Sequence, residues 1–335
     1  MYISCVQGNL QVRIEALIHA MTEAYDLMST EAVLLADASN AFNRLNRKVA
    51  LQNIRYICPS LSTALNNIYG QPTRLFVMGG FELSSQEGTT QGCPLAMAMY
   101  ALGIIPLIKE AQTHVPNKQD FQGWLAGDSQ AVGRLTALKQ WWDAICEKGP
   151  RYGYFPKPGK SYLVVKPDKI DEAKKVFQGT GVHVVLDAQR DLGAVIGIES
   201  AVNAKLRAKV SKWASQVKKL AEIAATQPHA AHAAFTFGLR HRWTFLQRTM
   251  APLQNLLQPL EDAIRDRLIP ALFGHQENTA ISDLDRALYA LPSRLGGLNL
   301  DNPMEQAKHK FRDSVELSKY LKDLIENKGA EDDPQ

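Results

Sequence analysis

The amino-acid sequence predicts an α+β domain followed by an all-helical region. Up to about residue 200, short apolar runs of strand length alternate with longer amphipathic segments of helix length. Beyond that point only helix-length patterns occur. We therefore divide the chain into a helical segment at 1–30, an α+β domain at 31–200, a helical region at 201–327 and a disordered tail at 328–335.

The strands are predicted from runs bounded by turn residues. The run at 32–36 is wholly apolar, which is typical of a buried strand, and it ends at Asp37. The runs at 74–78 and 81–84 flank two glycines, which is a hairpin signal. Further strands are predicted at 123–126, 162–165 and 183–186.

The helices are predicted from 3.6-residue periodicity and from Gly or Pro stops. In the first part they lie at 10–28, 47–57, 61–69, 95–109, 134–148 and 171–177. The helix at 134–148 is expected to end at Gly149 and Pro150. In the second part they lie at 202–225, 232–249, 253–268, 282–289 and from 303 onward.

Composition excludes several classes of protein. The chain has 335 residues, of which 45% are hydrophobic and 21% charged, so it is neither mainly disordered nor fibrous. Its 4 cysteines form no CxxC pair, which predicts no disulfide-linked partner and no cysteine zinc site. The longest uncharged apolar run, at 94–108, is too short to span a membrane. With no secretory leader, we expect an intracellular protein, nuclear or cytoplasmic. The net charge of +4 permits a polyanionic partner without requiring one.

Two aspartates follow predicted strands in otherwise apolar surroundings. Asp37 follows VLLA, and Asp128 follows WLAG. Carboxylates at the ends of neighbouring strands are suited to sharing Mg²⁺, and a two-metal site promotes phosphoryl transfer. An aspartate at a strand end is also a common turn or helix-capping residue, and this interpretation stays open.

Four motifs around these aspartates occur in a characteristic order. They are DASNAFNRLNR at 37–47, EGTTQGCPL at 87–95, WLAGD at 124–128 and GYFPKPGK at 153–160. In this order they resemble motifs A to D of the reverse transcriptase domain of non-LTR retrotransposons, and LPSRLGGLNL at 291–300 resembles a segment found downstream in that family. The resemblance implies a right-hand polymerase palm, an antiparallel sheet with helices on one face, followed by a thumb- or connection-like helical region.

The resemblance also implies a chemistry and partners. In that family two Mg²⁺ ions promote RNA-directed DNA synthesis from dNTPs on an RNA/DNA primer-template. The metal ligands would here be Asp37 and Asp128. Lys160 matches the motif D lysine, which neutralises or protonates the departing pyrophosphate, although a lysine in a Pro-Gly turn is also commonly just solvated.

Substrate-binding residues follow from motifs A and B. By the resemblance, Phe42 screens the sugar 2′ position, and Asn40 lies where the chain approaches the triphosphate. Gln91 and Gly92 match the pair that contacts the incoming nucleotide and the template base. Core packing for Phe42, a turn for Asn40 and an ordinary loop-to-helix glycine for Gly92 are the alternative interpretations.

Motif C departs from the family pattern. It normally contains two consecutive aspartates, and here Gly127 stands at the first position and Asp128 at the second. A second alignment, to Gly-Asp-Asp or Gly-Asp-Asn of viral RNA polymerases, makes Asp128 the main ligand and Ser129 its weak companion. Both alignments stay open, and in the first the main metal ligand is lost.

The front of the chain is short for this family. Only 36 residues precede Asp37, so we expect a truncated reading frame without a complete fingers subdomain. Two functions therefore compete. One is a reverse transcriptase domain, and the other is a catalytically dead remnant that keeps only the fold and sequence-independent nucleic-acid binding.

A basic amphipathic helix follows the α+β domain. Residues 201–221 contain six basic residues and no acidic one, around an apolar stripe at 3- and 4-residue spacing. We assign nucleic-acid binding to Lys205, Lys209 and Lys212, because a basic helix after the palm is where a thumb tracks the primer-template backbone. A solvated basic face that only confers solubility is the alternative.

Overall fold

The chain forms two compact units, which we describe separately. The computed structural model describes residues 10–90, 92–116, 120–251, 253–276 and 279–326. The first unit is formed by the described residues of Met1–Leu186 and Lys319–Gln335, and the second is Asp187–Ser318. The predicted tail at 328–335 and the predicted substrate residue Gln91 lie outside the described residues.

The first unit is built on a mixed five-stranded sheet. Its strands are β1 (Ala32–Asp37), β4 (Phe121–Leu125), β5 (Asp128–Gly133), β6 (Tyr162–Val165) and β7 (His183–Val185), in the order β4-β5-β1-β6-β7. All pairs are antiparallel except β6 with β7, which is parallel. The central strand is buried on both faces, as its unbroken apolar run predicts, and none of the residues Ala32 to Ala36 is more than 8% exposed.

Helices cover both faces of this sheet. They are α1 (Leu10–Asp26), α2 (Ala41–Arg44), α3 (Arg47–Ile57), α4 (Pro59–Tyr69), α5 (Ala96–Gln112), α6 (Leu135–Tyr152) and α7 (Ile170–Val176). Trp124 on β4 contacts Trp141 of α6 on one face. Gly123, the residue before Trp124 on β4, points to the other face, where an added Cβ would lie 2.1 Å from Leu17 of α1. The prediction of helices on one face only is therefore wrong, because the N-terminal helix packs on the second face.

Helix α6 is longer than the sequence pattern predicts. Pro150 lies in its last turn, and the helix continues to Tyr152. It ends at Gly153, which adopts the left-handed conformation at φ 81°. A Cβ on Gly153 would lie 1.9 Å from the carbonyl oxygen of Arg44, so this end of the helix requires glycine both for its dihedral angle and for the close approach of the chain.

The predicted hairpin forms a separate two-stranded sheet in the first unit. It consists of β2 (Thr73–Val77) and β3 (Phe81–Ser85), and Gly79 and Gly80 have positive φ in the connecting turn. Its large apolar side chains are exposed, with Phe76 at 75% and Phe81 at 72%.

The second unit is mainly helical and begins with a small hairpin that the sequence pattern did not indicate. The hairpin strands are β8 (Gln189–Asp191) and β9 (Ala194–Ile196). The helices are α8 (Glu199–Ala224), α9 (Pro228–Phe237), α10 (Thr244–Thr249), α11 (Gln258–Ala263), α12 (Ile269–Leu272), α13 (Asp283–Ala290) and α14 (Pro303–Ile325), whose residues after Ser318 belong to the first unit. Strand β9 contacts α8 and α10, so the hairpin belongs to this unit and the division falls before it, at residue 187 rather than near 200.

Two predicted helices of this region are interrupted. The predicted helix at 232–249 is divided into α9 and α10 by Gly238 and a 3-10 turn at Leu239–Arg242, which agrees with the low helix propensity of glycine. The predicted helix at 253–268 contains a π-helical segment at Ile264–Leu268. A buried ion pair joins α11 to α13, where Arg286 donates to both carboxylate oxygens of Glu261 at 2.6 and 2.7 Å.

Candidate functional site

The two predicted metal ligands lie directly opposite each other. Asp37 is the last residue of β1, Asp128 is the first residue of β5, and the two are register partners in the antiparallel ladder. Directly opposite residues of such a pair point to the same face, with Cβ atoms about 4.5–5.5 Å apart. The carboxylates therefore project together from one edge of the sheet, on the face that carries α1.

The β4–β5 turn decides which motif C residue faces Asp37. Ala126 and Gly127 form the two-residue turn, with Ala126 at φ 54°, and Asp128 is the first residue to pair with β1. A Cβ added at Gly127 would lie 3.0 Å from the Cβ of Ala41, so a side chain there requires Ala41 to shift slightly. The carboxylate opposite Asp37 therefore belongs to Asp128.

Ser129 points away from the carboxylates. Successive residues of a strand alternate between faces, and Ser129 is completely buried on the face that packs against α6. Its hydroxyl is 2.7 Å from the hydroxyl of Tyr154, which also donates to the carbonyl of Gly127 at 3.3 Å. The interpretation of Ser129 as a weak metal ligand is therefore wrong. Its hydroxyl instead connects the turn to a buried tyrosine.

A segment from motif D surrounds Asp37. Lys160 lies in a 3-10 turn, and its Nζ is 3.7 Å from a carboxylate oxygen of Asp37. The backbone N–H of Lys157 donates to the carbonyl of Asp37 at 2.8 Å. The hydroxyl of Ser161, which is buried, accepts from the N–H of Asp37 at 3.4 Å and donates to the carbonyl of Lys157 at 3.0 Å. The main chain of Asp37 is thus held by Lys157 and Ser161, and its carboxylate lies beside the ammonium group of Lys160.

The charge environment favours a cation at this position. Partial burial, together with repulsion from Asp37, raises the pKa of Asp128 above its ordinary value. The Asp128 side chain stays accessible to solvent, so a cation has access to it. Binding a divalent cation between the carboxylates would relieve the repulsion that raises this pKa.

The donor set fits Mg²⁺ in part. Mg²⁺ in enzymes is commonly held by one or two carboxylates, with waters and substrate phosphates as the other ligands. Asp37 and Asp128 match that description. Within the described ranges, no cluster of three or more His, Cys, Asp or Glu side chains suited to a metal is present, so the protein offers these two carboxylates without a third.

The predicted substrate residues belong to motifs A and B, and all of them except Gln91 lie within the described residues. Phe42 is half-buried, with its ring 4.7 Å from that of Tyr100, and its carbonyl accepts from the N–H of Thr89 at 2.7 Å. Motif A and the start of motif B therefore lie side by side. Gly92 is exposed, with φ 88° and nothing within 4 Å of a Cβ at that position, so it needs glycine for its dihedral angle alone.

Asn40 has a local structural role. It is in the left-handed conformation at φ 52° and precedes α2. Its side-chain oxygen accepts from the Asn43 side chain at 2.7 Å, and its carbonyl accepts from the N–H groups of Asn43 and Arg44. These contacts match the turn interpretation, and the side chain is exposed at the surface.

The three predicted nucleic-acid-binding lysines differ in their surroundings. Lys205 donates from Nζ to the carbonyl of Ala188 and so contacts the chain just before β8. Lys209 and Lys212 line a cavity of the second unit. Burial, together with the nearby Arg190, lowers the pKa of Lys209.

Comparison with known proteins gives little information on function. No family model matches the chain, and no curated protein matches it. Among solved structures, the chain is similar to apo telomerase from Candida tropicalis, with a TM-score of 0.42 and 11% identity. The match covers 96% of this chain and 55% of the telomerase chain, so this chain spans about half the length of that protein. Similarity at this level carries no argument about activity or substrate.

Helix length and cysteine pairing in the described part of the chain bear on the membrane and disulfide predictions. No helix there is both long and apolar enough to cross a bilayer. Cys58, Cys93 and Cys146 are free thiols.

Sequence reasoning missed several residues at these sites. Tyr154 lies inside the motif at 153–160, but nothing in the sequence of that motif indicated that the tyrosine hydroxyl would contact the β4–β5 turn. Arg190 and Arg242 line the same cavity as Lys209 from other elements. Only the mixture of basic and aromatic letters in LRHRWTF, at 239–245, was a usable signal for Arg242.

Proposed function

We propose that the chain is the palm-containing part of a reverse transcriptase of the non-LTR retrotransposon type, which transfers nucleotides to a primer 3′-OH. The observation that carries the proposal is the direct cross-strand pairing of Asp37 with Asp128, with Lys160 beside the first carboxylate. The ordered motifs at 37–47, 87–95, 124–128 and 153–160 support it.

The roles of the residues follow from charge. Asp37 and Asp128 would hold Mg²⁺, which when bound aligns and neutralises the attacking and leaving oxygens. Lys160 lies 3.7 Å from Asp37 and would neutralise or protonate the departing pyrophosphate. Phe42 packs beside motif B and would limit the space at the sugar 2′ position.

Primer extension on a homopolymer RNA template, with Mg²⁺ or Mn²⁺, tests the proposal. Asp37→Asn should lower the extension rate by at least about 100-fold, corresponding to about 2.7 kcal/mol of lost transition-state stabilisation. The matched control is Asp143→Asn, which makes the same chemical change at an aspartate paired with Lys139 on the surface of α6. Equal rates for the wild-type chain and Asp37→Asn would overturn the proposal.

A second candidate function is a binding-only remnant of the same fold. It is favoured by Gly127, which supplies no side chain where the family has its main metal ligand. In this case neither the wild-type chain nor Gly127→Asp extends a primer. Under the first proposal, Gly127→Asp adds a ligand and should tighten Mn²⁺ binding by about tenfold, or about 1.4 kcal/mol, provided that Ala41 moves aside.

A further inference from the structure

A cationic cavity lies in the second unit, between α8, the β8–β9 hairpin and the segment that leads into α10. Its volume is about 350 Å³, within the range of small-ligand sites. The lining includes four cationic side chains, those of Arg190, Lys209, Lys212 and Arg242. We call it the cation cavity.

The positive charges of the cation cavity are not compensated. Among the described residues, none that lines it is acidic, and none of its four cationic side chains makes an ion pair. Arg242 donates to the neutral side chain of Gln216, at 3.2 Å. Lys209 is partly buried, and its lowered pKa reflects that burial and the repulsion from Arg190. An anion in the cavity would be attracted by all four cations.

Aromatic rings complete the walls. Trp213 of α8 is half-buried, with its ring 6.1 Å from that of Trp243, and Phe245 faces the hairpin. Gly193 in the hairpin turn has φ 99°, and a Cβ there would lie 2.8 Å from the Phe245 ring. Only glycine permits the hairpin to approach the ring this closely.

The combination of cations and aromatic faces distinguishes this cavity from a site for a simple anion. Proteins that bind single strands hold the phosphates with basic groups and stack the bases on aromatic rings. Phosphate alone would use only the cations and leave the apolar walls uncovered.

We propose that the cation cavity binds a phosphate of a single-stranded nucleic acid, with the adjoining base against Trp213 and Phe245. This inference deepens the proposed function, and it rests on that function for the identity of the polymer. It assigns Arg190 and Arg242, from outside the basic helix, to the same strand-binding site as Lys209 and Lys212.

Fluorescence anisotropy with a labelled single-stranded RNA 12-mer tests the inference on the full chain. The double variant Lys209→Gln/Arg242→Gln should bind at least about tenfold more weakly at low salt, and its plot of log K against log[salt] should be shallower by about 0.7 units, the value for one lost phosphate contact. The control Lys218→Gln/Lys219→Gln removes the same charge from exposed positions of α8 that do not line the cavity. The control should change affinity less than threefold, about 0.6 kcal/mol. Equal losses in both variants would show a diffuse basic face and overturn the inference.

A competition experiment separates the polymer from a free anion. Inorganic phosphate at millimolar concentration should displace the RNA only weakly, because it cannot stack on the aromatic walls. Full displacement by phosphate at the same concentration as by a 5′-mononucleotide would overturn the strand assignment. Phe245→Leu keeps an apolar residue at that wall and should weaken RNA binding without changing phosphate binding.

The two proposals fail separately. Asp37→Asn should lose primer extension and keep RNA affinity, whereas Lys209→Gln/Arg242→Gln should lose affinity. RNA binding that depends on the cavity in a chain that never extends a primer would reject the polymerase and keep the inference.

Discussion

The carboxylate pair of the first unit and the cation cavity of the second are both clusters of like charge, but they are held together in different ways. Asp37 and Asp128 face each other because the backbone register of β1 and β5 places them in one row. The cation cavity is assembled by side chains from three separate elements. In the carboxylate pair the backbone sets the spacing, whereas in the cavity side-chain packing sets it.

The two clusters also differ in compensation. Asp37 has Lys160 beside it, whereas in the part of the chain that the structure describes no acidic side chain lines the cavity. In both clusters burial and repulsion favour the neutral form of a side chain. They raise the pKa of Asp128 and lower the pKa of Lys209. Burial also raises the pKa of Glu261, but this carboxylate is paired with Arg286 through both of its oxygens. The like-charged clusters therefore form the candidate binding sites, whereas the fully paired Glu261 and Arg286 support the fold.

The largest effect on stability is expected at the buried ion pair of Glu261 and Arg286. Arg286→Met leaves Glu261 buried without a partner, so we expect a loss of about 3–5 kcal/mol in the free energy of unfolding. Urea unfolding followed by circular dichroism measures it. Arg312→Met, at a residue whose side chain is 73% exposed, is the control and should stay within about 1 kcal/mol. Similar stability in both variants would contradict a structural role for matched charge.

The next largest effect on stability is expected at Tyr154, the tyrosine beneath the β4–β5 turn. Tyr154→Phe removes the partner of the buried Ser129 hydroxyl and of the Gly127 carbonyl, with an expected loss of about 1–3 kcal/mol. Adding Ser129→Ala should restore part of the stability, because no buried hydroxyl is then left unpaired. If Tyr154→Phe with Ser129→Ala is less stable than Tyr154→Phe, the hydrogen bond is not the source of the effect.

A smaller and opposite effect is expected at Asp128. Asp128→Asn removes a like charge from a directly opposite pair, and should raise the free energy of unfolding at pH 7 by up to about 1 kcal/mol. Because the folded-state pKa is raised, the stability from protonated Asp128 is present at acid pH and is lost as pH rises through that pKa. The advantage of Asn should therefore grow between acid and neutral pH. Thermal unfolding across that range measures it, and an advantage confined to low pH would contradict the sign.

The smallest effect is expected at Lys209. Lys209→Gln removes a partly buried cation next to Arg190, so the variant should be a few tenths of a kcal/mol more stable at neutral pH. Because the folded-state pKa is lowered, the advantage should shrink as pH rises through it toward the ordinary lysine value. Lys218→Gln, at an exposed position of the same helix, should show no such trend. Parallel behaviour of the two variants would show that Lys209 carries no unmatched charge.

Much of the first site was predictable from the sequence, but the alignment of motif C was not. The motif order singled out Asp37, Asp128 and Lys160 before any contact was known. Two alignments of motif C competed, and the letters GDSQ fit either. The β1–β5 register places Asp128 opposite Asp37 and turns Ser129 into the core, which a linear motif does not encode.

The second site shows a different limit. The basic face of α8 was predicted from helical spacing, because residues four apart lie on one side of a helix. Arg190 and Arg242 come from a hairpin and a 3-10 turn distant in sequence, so no periodicity connects them to Lys209. The predicted single helix at 232–249 also hid the break at Gly238 that precedes Arg242.

By itself the sequence determined most of the local elements, the order of the four motifs and the two acidic positions. These follow from periodicity, turn residues and residue chemistry, which act over a few positions along the chain. Only the tertiary structure decided which carboxylate faces Asp37, that α1 covers the second face of the sheet, and which cations share a cavity. Such pairings depend on strand register and on packing between residues distant in sequence, where a shift of one position reverses the face on which a side chain lies.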